Sequence, residues 1–359
     1  MDAVCGIFLR LRDRYDEEGS GGLKDRRVGQ VSQRRAADAE IEEVTRLYRD
    51  RYRGVNVRHF NEFAQRDHGL FRGYTWTRLV LMRAGLVAPA KRGGPHRLRR
   101  PRRPMRGMMI HQDASKHLWF GEGYCDLVVT LDDATSEIIS AFFCTEEGTN
   151  SSFRGIHETV ARYGLFSSFY TDRGSHYFYT PEANGKVDKS RLTEVGRALK
   201  QLGIVHIAAY SPEARGRSER MFGTLQGRLV AELALVGITD MAVANRYLQD
   251  VYLPRHNAQF MVKPEVETSA FVPTAGFDIA DVLCIHVERV VAPDNCVHYR
   301  ALKLQIPPGP LRHHYVKTHV RVHHYPDDTM AIFHGPRQIG RYQADGALHK
   351  EQQEQKRAA

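Results

Sequence analysis

The sequence has few of the features that mark disulfide-bonded, secreted or membrane proteins. Its five cysteines are odd in number, widely spaced and without a Cys-x-x-Cys pair, which argues against a disulfide framework and a cysteine-built zinc site. No run approaches the roughly 18 consecutive apolar residues that a membrane-spanning helix needs. Arg10, Arg12 and Arg14 stand where a signal peptide would be apolar. We therefore expect reduced, mostly buried cysteines in a cytoplasmic protein.

Histidine is plentiful, but its spacing does not indicate a metal. The 18 histidines include a dense group from His313 to His324 with the pattern HHxxxxHxxxHH. This pattern matches no zinc-ligand spacing that tetrahedral geometry would favour. The sequence therefore predicts no structural metal in this segment.

Positive charge is in excess and is concentrated in one segment. The net charge is +10, and KRGGPHRLRRPRRPMR, from Lys91 to Arg106, holds eight Lys or Arg residues and no acid. Proline and glycine interrupt it, so we expect a flexible basic linker. One interpretation is a solvated hinge; the other, which we favour, is a strap that follows a phosphate backbone and gains affinity by releasing counterions.

Residues 38–87 have the periodicity of three short helices. IEEVTRLYRDRY places Val44 and Tyr48 at helical spacing, and HFNEFAQRDHG ends at a glycine. TWTRLVLMRAG follows, with Thr75 as its expected N-cap and Gly85 as its stop. A tight turn before the last of three helices is typical of a helix-turn-helix, although small helical bundles share the pattern. The adjacent basic linker favours the DNA-binding interpretation.

From residue 107 the pattern becomes one of alternating strands and helices. MMIHQDASKHLWF, YCDLVVTL and EIISAFFC predict three strands, the last two joined by the hairpin loop DDATS. A helix over 151–163, the strand SSFYTD, a helix over 189–202, the strand IVHIAAY and a helix from SPEARGRSER follow. This order predicts a ribonuclease-H-like α/β core, a mixed sheet with flanking helices.

The C-terminal region has a third pattern. Between Val282 and Gln343 lie short alternating runs such as HVERVV and THVRVHHY, separated by PDN, PPGP, PDD and GP. Short strands at regular spacing predict a small all-β barrel. We expect the final residues, 346–359, to be disordered.

Carboxylates at the strand ends are the candidate chemical groups. Asp113 lies in the first strand and Asp172 ends the fourth, and these strands are neighbours in the expected topology. Two carboxylates that lie so close together repel each other unless a cation or an arginine compensates. Glu219 lies near the inward stripe of its helix, where it can face the two aspartates or form a salt bridge to Arg215, Arg217 or Arg220. Glu213, in the preceding loop, faces water or the start of the helix.

Three motifs resemble those of one enzyme family. HQDASKH, YTDRGSHY and YSPEARGRSERMFGTLQ resemble, in order and surroundings, the three acidic blocks of integrase-core (DDE) transposases of bacterial insertion sequences, in the retroviral-integrase superfamily. The likeness covers about residues 38–345 and includes the segment from Asn257 to Pro264. The last block is the most specific of the three.

The resemblance implies an activity and a set of site residues. Asp113, Asp172 and Glu219 would be the catalytic triad and would hold two Mg²⁺ ions, with Mn²⁺ as a substitute. The chain would bind the ends of a mobile element and target DNA, as a homo-oligomer in the bacterial nucleoid, and catalyse cleavage and strand transfer. The residues expected to contact DNA are Arg78, Arg83, Lys91, Arg92, Arg97, Arg99, Arg100, Arg102, Arg103, Arg106, Arg215, Arg217 and Arg220.

The same motifs suggest a division into domains. We expect a remnant of an N-terminal helical DNA-binding segment at 1–37, a helix-turn-helix at 38–90, the linker at 91–106, the catalytic core at 107–265, a second linker at 266–281 and the barrel at 282–345. Two departures stand out: 46 residues separate Asp172 from Glu219, more than is common in the superfamily, and the N-terminal segment is short, so this copy is expected to be truncated. The alternatives are a nuclease that cuts without joining and an inactive transposase that only binds DNA.

Overall fold

The computed structural model divides into two compact units. The described residues are 2–24, 35–89, 100–182, 185–188, 190–210, 212–274, 276, 278–309 and 312–349, and at 2–5 and 212–215 only the backbone is described. The units divide between Gly93 and Gly94. None of the described helices is long and apolar enough to span a bilayer. The four cysteines with described side chains are free thiols.

The first unit is helical. Its helices are α1 (Asp2–Glu18), followed by a 3-10 turn (Gly19–Leu23), α2 (Asp38–Asp50), α3 (Val57–His68) and α4 (Tyr74–Arg83). The three helices predicted within 38–87 are thus present. Helix α3 ends at Gly69, whose positive φ of 66° closes the last turn. Helix α4 begins after Gly73, so the prediction that Thr75 is its N-cap is wrong.

Aromatic side chains hold α2 and α3 together. The rings of Tyr48 and Phe60 meet edge to face at 4.9 Å, and Tyr52 stacks on Phe63 at 5.1 Å. The Tyr48 hydroxyl donates to the carbonyl of Val55 at 2.9 Å, so its one polar group is satisfied although the residue is buried. Both tyrosines therefore contribute apolar area to the core without leaving an unpaired hydroxyl group. The helix-turn-helix assignment for this unit stays a prediction.

The second unit contains the remaining strands and helices. They are, in chain order, β1 (Met105–Arg106), β2 (Ile110–His117), β3 (Cys125–Asp132), β4 (Ile138–Cys144), α5 (Thr149–Tyr163), β5 (Ser168–Thr171), α6 (Glu194–Gln201), β6 (Val205–Ala208), α7 (Pro212–Gln226), α8 (Leu229–Leu235), α9 (Met241–Tyr247), a π-helical turn (Leu248–Tyr252), α10 (Leu253–Phe260), β7 (Val266–Ser269), a 3-10 turn (Ile279–Asp281), β8 (Ile285–Val290), β9 (Cys296–Tyr299), β10 (Leu302–Gln305), β11 (His319–His324), β12 (Met330–His334) and β13 (Arg337–Tyr342).

A five-stranded mixed sheet forms the centre of this unit. The strand order is β4-β3-β2-β5-β6, with β2, β3 and β4 antiparallel and β5 and β6 parallel to β2. Helices α5 and α6 pack on one face through residues such as Phe153 and Leu199, and α7 to α10 pack on the other through residues such as Phe222 and Leu248. The predicted mixed sheet with flanking helices, which fits a ribonuclease-H-like core, is therefore present.

Side-chain amides of the following helices cover the outer edge of β4. Asn257 accepts from the Ile138 amide at 2.9 Å and donates to its carbonyl at 2.8 Å. Asn245 makes the same pair of bonds to Phe143, at 2.7 and 3.0 Å. These amides replace a neighbouring strand, which satisfies backbone groups that an edge strand would otherwise expose. The contacts of Asn257 give the Asn257 to Pro264 motif a structural role.

The C-terminal strands form a sheet and a separate hairpin. Strands β13, β12, β11 and β8 make one antiparallel sheet in that order, and β9 pairs only with β10 within the described chain. A shared core that includes Val297, Leu304, Val322 and Ile332 joins them. The predicted barrel stays a prediction, since hydrogen bonds do not join the six described strands into one closed sheet.

The end of the basic segment is part of the folded core, which corrects the prediction of a flexible linker over 91–106. Residues 91–99 lie outside the described chain, but β1 pairs with β7, and Arg106 forms an ion pair with Glu137. The Arg106 guanidinium also lies over the Tyr163 ring, 4.8 Å from its centroid. Residues 103–106 are therefore held by the fold, while the side chain of Arg103 is exposed.

Candidate active site

Asp113 and Asp172 occupy equivalent positions on two neighbouring parallel strands. The last paired residues of β2 and β5 are His111 and Tyr170, and the two aspartates follow two residues later on each strand. Neighbouring strands lie about 4.8 Å apart. The register therefore places the two backbones side by side at one end of the sheet, as the sequence predicted.

Asp113 faces the side of the sheet that α7 covers. Gln112 points to the opposite side, where it donates to Thr130 at 2.9 Å and lies against α5. Because side chains alternate along a strand, His111, Asp113 and Ser115 share the α7 side. Gln226 of α7 donates to the Ser115 hydroxyl at 3.0 Å, which confirms the assignment of faces.

The two aspartates lie in an environment of further acidic groups. Burial first, and then the negative charges of Glu147, Asp172 and Asp113, raise the pKa of Tyr177 well above its usual value. The Tyr177 hydroxyl donates to Gln112 at 2.9 Å, so it is held as a neutral donor beside these carboxylates. Neither Glu147 nor Tyr177 was predicted as a site residue, because each comes from a separate loop or helix start and matches no local motif.

Backbone amides fix one oxygen of each aspartate. Asp113 Oδ1 accepts from the Ala114 amide at 3.0 Å, and Asp172 Oδ1 accepts from the Gly174 amide at 2.8 Å. A Cβ atom at Gly174 would lie 3.1 Å from that same Asp172 oxygen and 3.0 Å from the His176 ring. The glycine thus allows the loop to wrap closely around the carboxylate. His176 lies 3.5 Å from Glu147.

Glu219 is exposed on α7, on the flank that faces Ser115. Gln226 lies seven positions further along the helix, and at 3.6 residues per turn the two side chains leave it in nearly the same direction. The start of α7 lies near Asp133, the hydrogen-bond partner of His111, and its end contacts Ser115. The helix therefore runs along β2, and Glu219 shares the flank of α7 from which Gln226 contacts Ser115. The Glu213 side chain lies outside the described residues.

The geometry fits a divalent cation at the two aspartates. Carboxylate oxygens are the ligands that Mg²⁺ prefers, and two neighbouring carboxylates supply the negative charge that it neutralises. Glu219 is not drawn into this pair: within the described chain, Asp113, Asp172 and Glu219 do not form a group whose ligand atoms all lie within 4.8 Å of one another. Strand register thus sets the backbones of Asp113 and Asp172 side by side, and Glu219 lies on α7.

A buried carboxylate that the sequence analysis missed anchors the same helix. Asp133, 0% exposed, forms ion pairs with Arg100 and with Arg217 of α7. It also lies 2.7 Å from His111 Nε2 and accepts from the Arg103 amide at 2.7 Å. Burial lowers the pKa of His111, so at neutral pH the imidazole is a neutral donor.

Asp133 therefore fixes α7, the helix that carries Glu219, against β2. Of the three alternative partners for Glu219, Arg217 pairs with Asp133 instead, and the side chain of Arg215 lies outside the described residues.

These contacts stabilise the ionised form of the Asp133 carboxylate. Burial alone would raise the pKa of Asp133, but hydrogen bonds from His111 and the Arg103 amide, together with the charge of Arg217, hold it well below its usual range. The sequence offers no local signal for this role, since Asp133 lies in a segment that predicts only a hairpin loop.

The arginines expected to contact DNA have different surroundings. On α4, Arg78 is half-buried and Arg83 is exposed. The described residues do not include Lys91, Arg92, Arg97, Arg99 or the side chain of Arg215. Arg100, Arg106 and Arg217 are engaged in the ion pairs above, whereas Arg103 and Arg220 are exposed. Arg102 donates to the Asp133 carbonyl at 3.0 Å and to the Ser136 hydroxyl at 2.8 Å. With Arg100, Arg217 and Arg220 it lines a cavity of about 410 Å³.

Two bacterial sequences named as transposases are similar to this chain. It is 28% identical over 327 residues to the putative transposase y4bF of Sinorhizobium fredii, an alignment that covers 90% of this chain and 71% of that protein. Over 106 residues it is 32% identical to the transposase for insertion sequence IS1202 of Streptococcus pneumoniae, covering 30% of this chain and 23% of that protein. No protein-family model matches the chain.

Solved viral structures are also similar, at lower identity. A simian T-cell lymphotropic virus intasome in complex with the PP2A regulatory subunit B56 gamma is 17% identical, with a TM-score of 0.34, and the match covers 53% of this chain and 68% of that one. The HTLV-2 integrase catalytic core domain in complex with magnesium is 14% identical, with a TM-score of 0.30 and coverage of 41% and 89%. These scores are too low to establish a common fold, which rests on strand order and register. The two bacterial relatives confirm the resemblance that the motifs indicated: this chain is similar to one transposase sequence over 90% of its length and to another over 30%.

Proposed function

We propose that this chain is a transposase that binds the ends of a mobile DNA element and catalyses metal-dependent DNA cleavage and strand transfer. The observation that carries the proposal is the parallel pairing of β2 with β5, which Asp113 and Asp172 follow at matching positions, in a chain similar to transposases. Two carboxylates on neighbouring segments concentrate negative charge that a cation would neutralise. They supply the ligand type that a phosphoryl-transfer metal requires.

Asp113, Asp172 and Glu219 are the proposed ligands of two Mg²⁺ ions. When bound, the ions supply the positive charge that stabilises phosphoryl transfer and they promote ionisation of the attacking hydroxyl group. Backbone amides orient Asp113 and Asp172, and Asp133 anchors α7, the helix that carries Glu219. Water as the nucleophile would give cleavage, and a DNA 3′-hydroxyl group would give joining.

The remaining assignments follow from this function. We infer that α2 to α4 form a helix-turn-helix that contacts DNA through Arg78 and Arg83, and that the C-terminal strands form a small barrel. Arg103 and Arg220 are exposed and can bind phosphates directly, whereas Arg100, Arg106 and Arg217 contribute mainly by holding the core together. The active species is proposed to be a homo-oligomer on DNA, and Mn²⁺ is proposed to replace Mg²⁺.

The test compares two glutamates on the same helix. Glu219→Gln keeps the shape and most of the hydrogen-bonding capacity of the side chain but removes the charge that a cation needs. Since Glu219 is exposed, the variant should fold normally. We expect cleavage and joining to fall by orders of magnitude while DNA binding survives. The substrate is a labelled duplex that carries the terminal inverted repeat of the element, identified from its genomic flanks, assayed in Mg²⁺ and in Mn²⁺.

Glu213→Gln is the matched control. It lies in the first turn of α7, where losing a charge costs about 0.3–1 kcal/mol through the helix dipole, so this variant should stay active. If Glu213→Gln is the inactive variant, or if both stay active, the assignment of the third acid is wrong. If the unmodified chain cleaves but gives no joined product, it is a nuclease rather than a transposase.

A further inference from the structure

One cysteine and two histidines meet at the start of the C-terminal sheet. Cys284 immediately precedes β8 and His286 lies two residues later, so their side chains leave the strand on the same side. His286 is directly opposite His323 in the antiparallel pairing of β8 with β11. One ligand atom from each of the three residues lies within 4.8 Å of the others. No sequence motif signals the group, because the third member is contributed by another strand.

His323 has no hydrogen-bond partner for either ring nitrogen. The residue is only 4% exposed, and both Nδ1 and Nε2 are buried without a partner. A buried polar atom left unpaired costs about 1–3 kcal/mol, so such atoms are rare unless a ligand satisfies them. A metal ion is a ligand that would use one of these nitrogens directly.

The surroundings of His286 are those of a metal-binding histidine. Its Nε2 lies 2.9 Å from the carbonyl of Asp281, and because a carbonyl only accepts, Nε2 must carry the proton. The lone pair is therefore on Nδ1. A second ring nitrogen held by a backbone carbonyl is the usual arrangement around metal-bound imidazoles, since it fixes both the tautomer and the ring orientation.

We propose that Cys284, His286 and His323 bind a zinc-class transition metal ion, with water in the fourth position. A thiolate with two imidazoles is a nitrogen and sulfur ligand set that suits Zn²⁺ and does not suit Mg²⁺. On binding, the Cys284 thiol loses its proton to solvent and the sulfur–metal bond forms, with no redox change.

Both imidazoles have a lone pair available for a metal ion, and only the Cys284 thiol must lose a proton on binding. Burial lowers the pKa of His286 to about 4 and that of His323 to about 3, so both rings are neutral at pH 7. Burial raises the pKa of the Cys284 thiol to about 12. Affinity should therefore rise with pH, because a proton must leave.

Binding requires the two imidazole rings to rotate. They now stack with centroids 3.8 Å apart and planes 15° apart, and Phe333 stacks on the other side of His323 at 4.1 Å. Two rings that direct in-plane lone pairs at one ion cannot remain parallel at that spacing; a tetrahedral zinc site places its ligand atoms about 3.3–3.6 Å apart. An aromatic stack without metal is thus the competing explanation, and the experiment must separate the two.

The location gives the site a structural role. Arg197 of α6 donates to the Cys284 carbonyl at 2.6 Å and to the Val282 carbonyl at 3.1 Å, and Glu194 accepts from the His286 amide at 3.0 Å. The three proposed ligands therefore lie where the C-terminal sheet is attached to the catalytic core. An ion there would fasten β8 to β11 beside that attachment.

The direct test is titration of the chelator-stripped full chain with Co²⁺. Thiolate coordination gives a sulfur-to-cobalt charge-transfer band, and tetrahedral coordination gives visible bands of the intensity typical of four-coordinate Co²⁺. Both signals should saturate at one ion per chain, and Zn²⁺ should displace them. Cys284→Ser should lose it. Cys296→Ser is the matched control, because Cys296 is also buried but its thiol contacts Gln305 at 2.9 Å, outside the group. Absence of the band in the unmodified chain would overturn the proposal. The site for Mg²⁺ contains no thiol, so this result is independent of the proposed transposase activity.

His323→Phe separates the metal from the stack. Phenylalanine keeps a ring between His286 and Phe333 and removes two unpaired nitrogens, so this variant should fold and be at least as stable as the parent without metal. With Zn²⁺, the unmodified chain should gain several degrees in Tm and the variant none. If Zn²⁺ shifts the Tm of both equally, or of neither, the group is only an aromatic stack.

Discussion

Asp133→Asn should destabilise the core more than any exposed substitution. The side chain is 0% exposed, and it receives Arg217, whose own side chain is 10% exposed, as well as Arg100, His111 and the Arg103 amide. Asparagine removes the negative charge and turns an amide NH₂ toward groups that are all donors. Two guanidinium groups are left without their counter-charge.

The expected loss follows from the type of contact. Breaking a buried ion pair by removing one partner costs about 3–5 kcal/mol, because an uncompensated charge remains. Arg100 retains partial access to solvent, with 31% of its side chain exposed, so it can be rehydrated at lower cost than Arg217. We therefore expect a decrease of about 3–4 kcal/mol in the free energy of unfolding at pH 7.

Urea unfolding followed by tryptophan fluorescence measures this loss. The chain has two tryptophans, and Trp119 is fully buried in the core, so a Trp76→Phe background isolates the signal of the second unit. Asp240→Asn is the control, since Asp240 is an exposed N-cap that accepts from the Val243 amide and asparagine caps equally well. Its stability should change by less than about 0.5 kcal/mol.

The pH dependence provides a second criterion. Because the pKa of Asp133 is lower in the folded than in the unfolded state, its stabilisation is fully present above the unfolded pKa of about 3.9 and is lost as the pH falls toward the folded value. The difference between the parent and Asp133→Asn should therefore narrow below about pH 4. A loss under about 1 kcal/mol at pH 7, or a difference independent of pH, would refute the account of Asp133 as the ionised anchor of α7.

Two further predictions concern packing and DNA contact. Gly155→Ala should lower the free energy of unfolding by about 1–3 kcal/mol, because the added Cβ would lie 2.0 Å from Gln112 Nε2 and 2.7 Å from Thr130 Oγ1. Gly223→Ala is the control: its added Cβ meets nothing within 4 Å, so it should raise the free energy of unfolding by up to about 1 kcal/mol. Equal effects of the two substitutions in urea unfolding would contradict this packing. Arg103→Ala combined with Arg220→Ala should weaken binding to DNA of any sequence and reduce the slope of log K against log salt by up to about 1.8, and an unchanged slope would mean that neither contacts phosphate.

Local patterns were sufficient to predict most of the elements. The apolar runs of β3 and β4, the DDATS loop between them and the alternation of strands and helices that follows define a mixed sheet, and the structure has these elements close to the predicted positions. The predicted topology also set the strand of Asp113 beside the strand that Asp172 ends, and the strand order agrees. These features are local because hydrophobic periodicity and turn residues act over a few positions of the chain.

Contacts between distant segments were decided only by the tertiary structure. The charge run from Lys91 to Arg106 reads as one flexible linker, yet Arg100 and Arg106 are paired with acids about 30 residues away in the chain. Asp133 carries no motif, and it becomes the anchor of α7 because the sheet and the helix bring Arg100, Arg217 and His111 to one buried point. The histidine spacing likewise argued against a metal, while strand register sets His323 opposite His286 and beside Cys284. Sequence spacing measures distance along the chain, whereas burial and strand register determine which charges and ligand atoms meet across it.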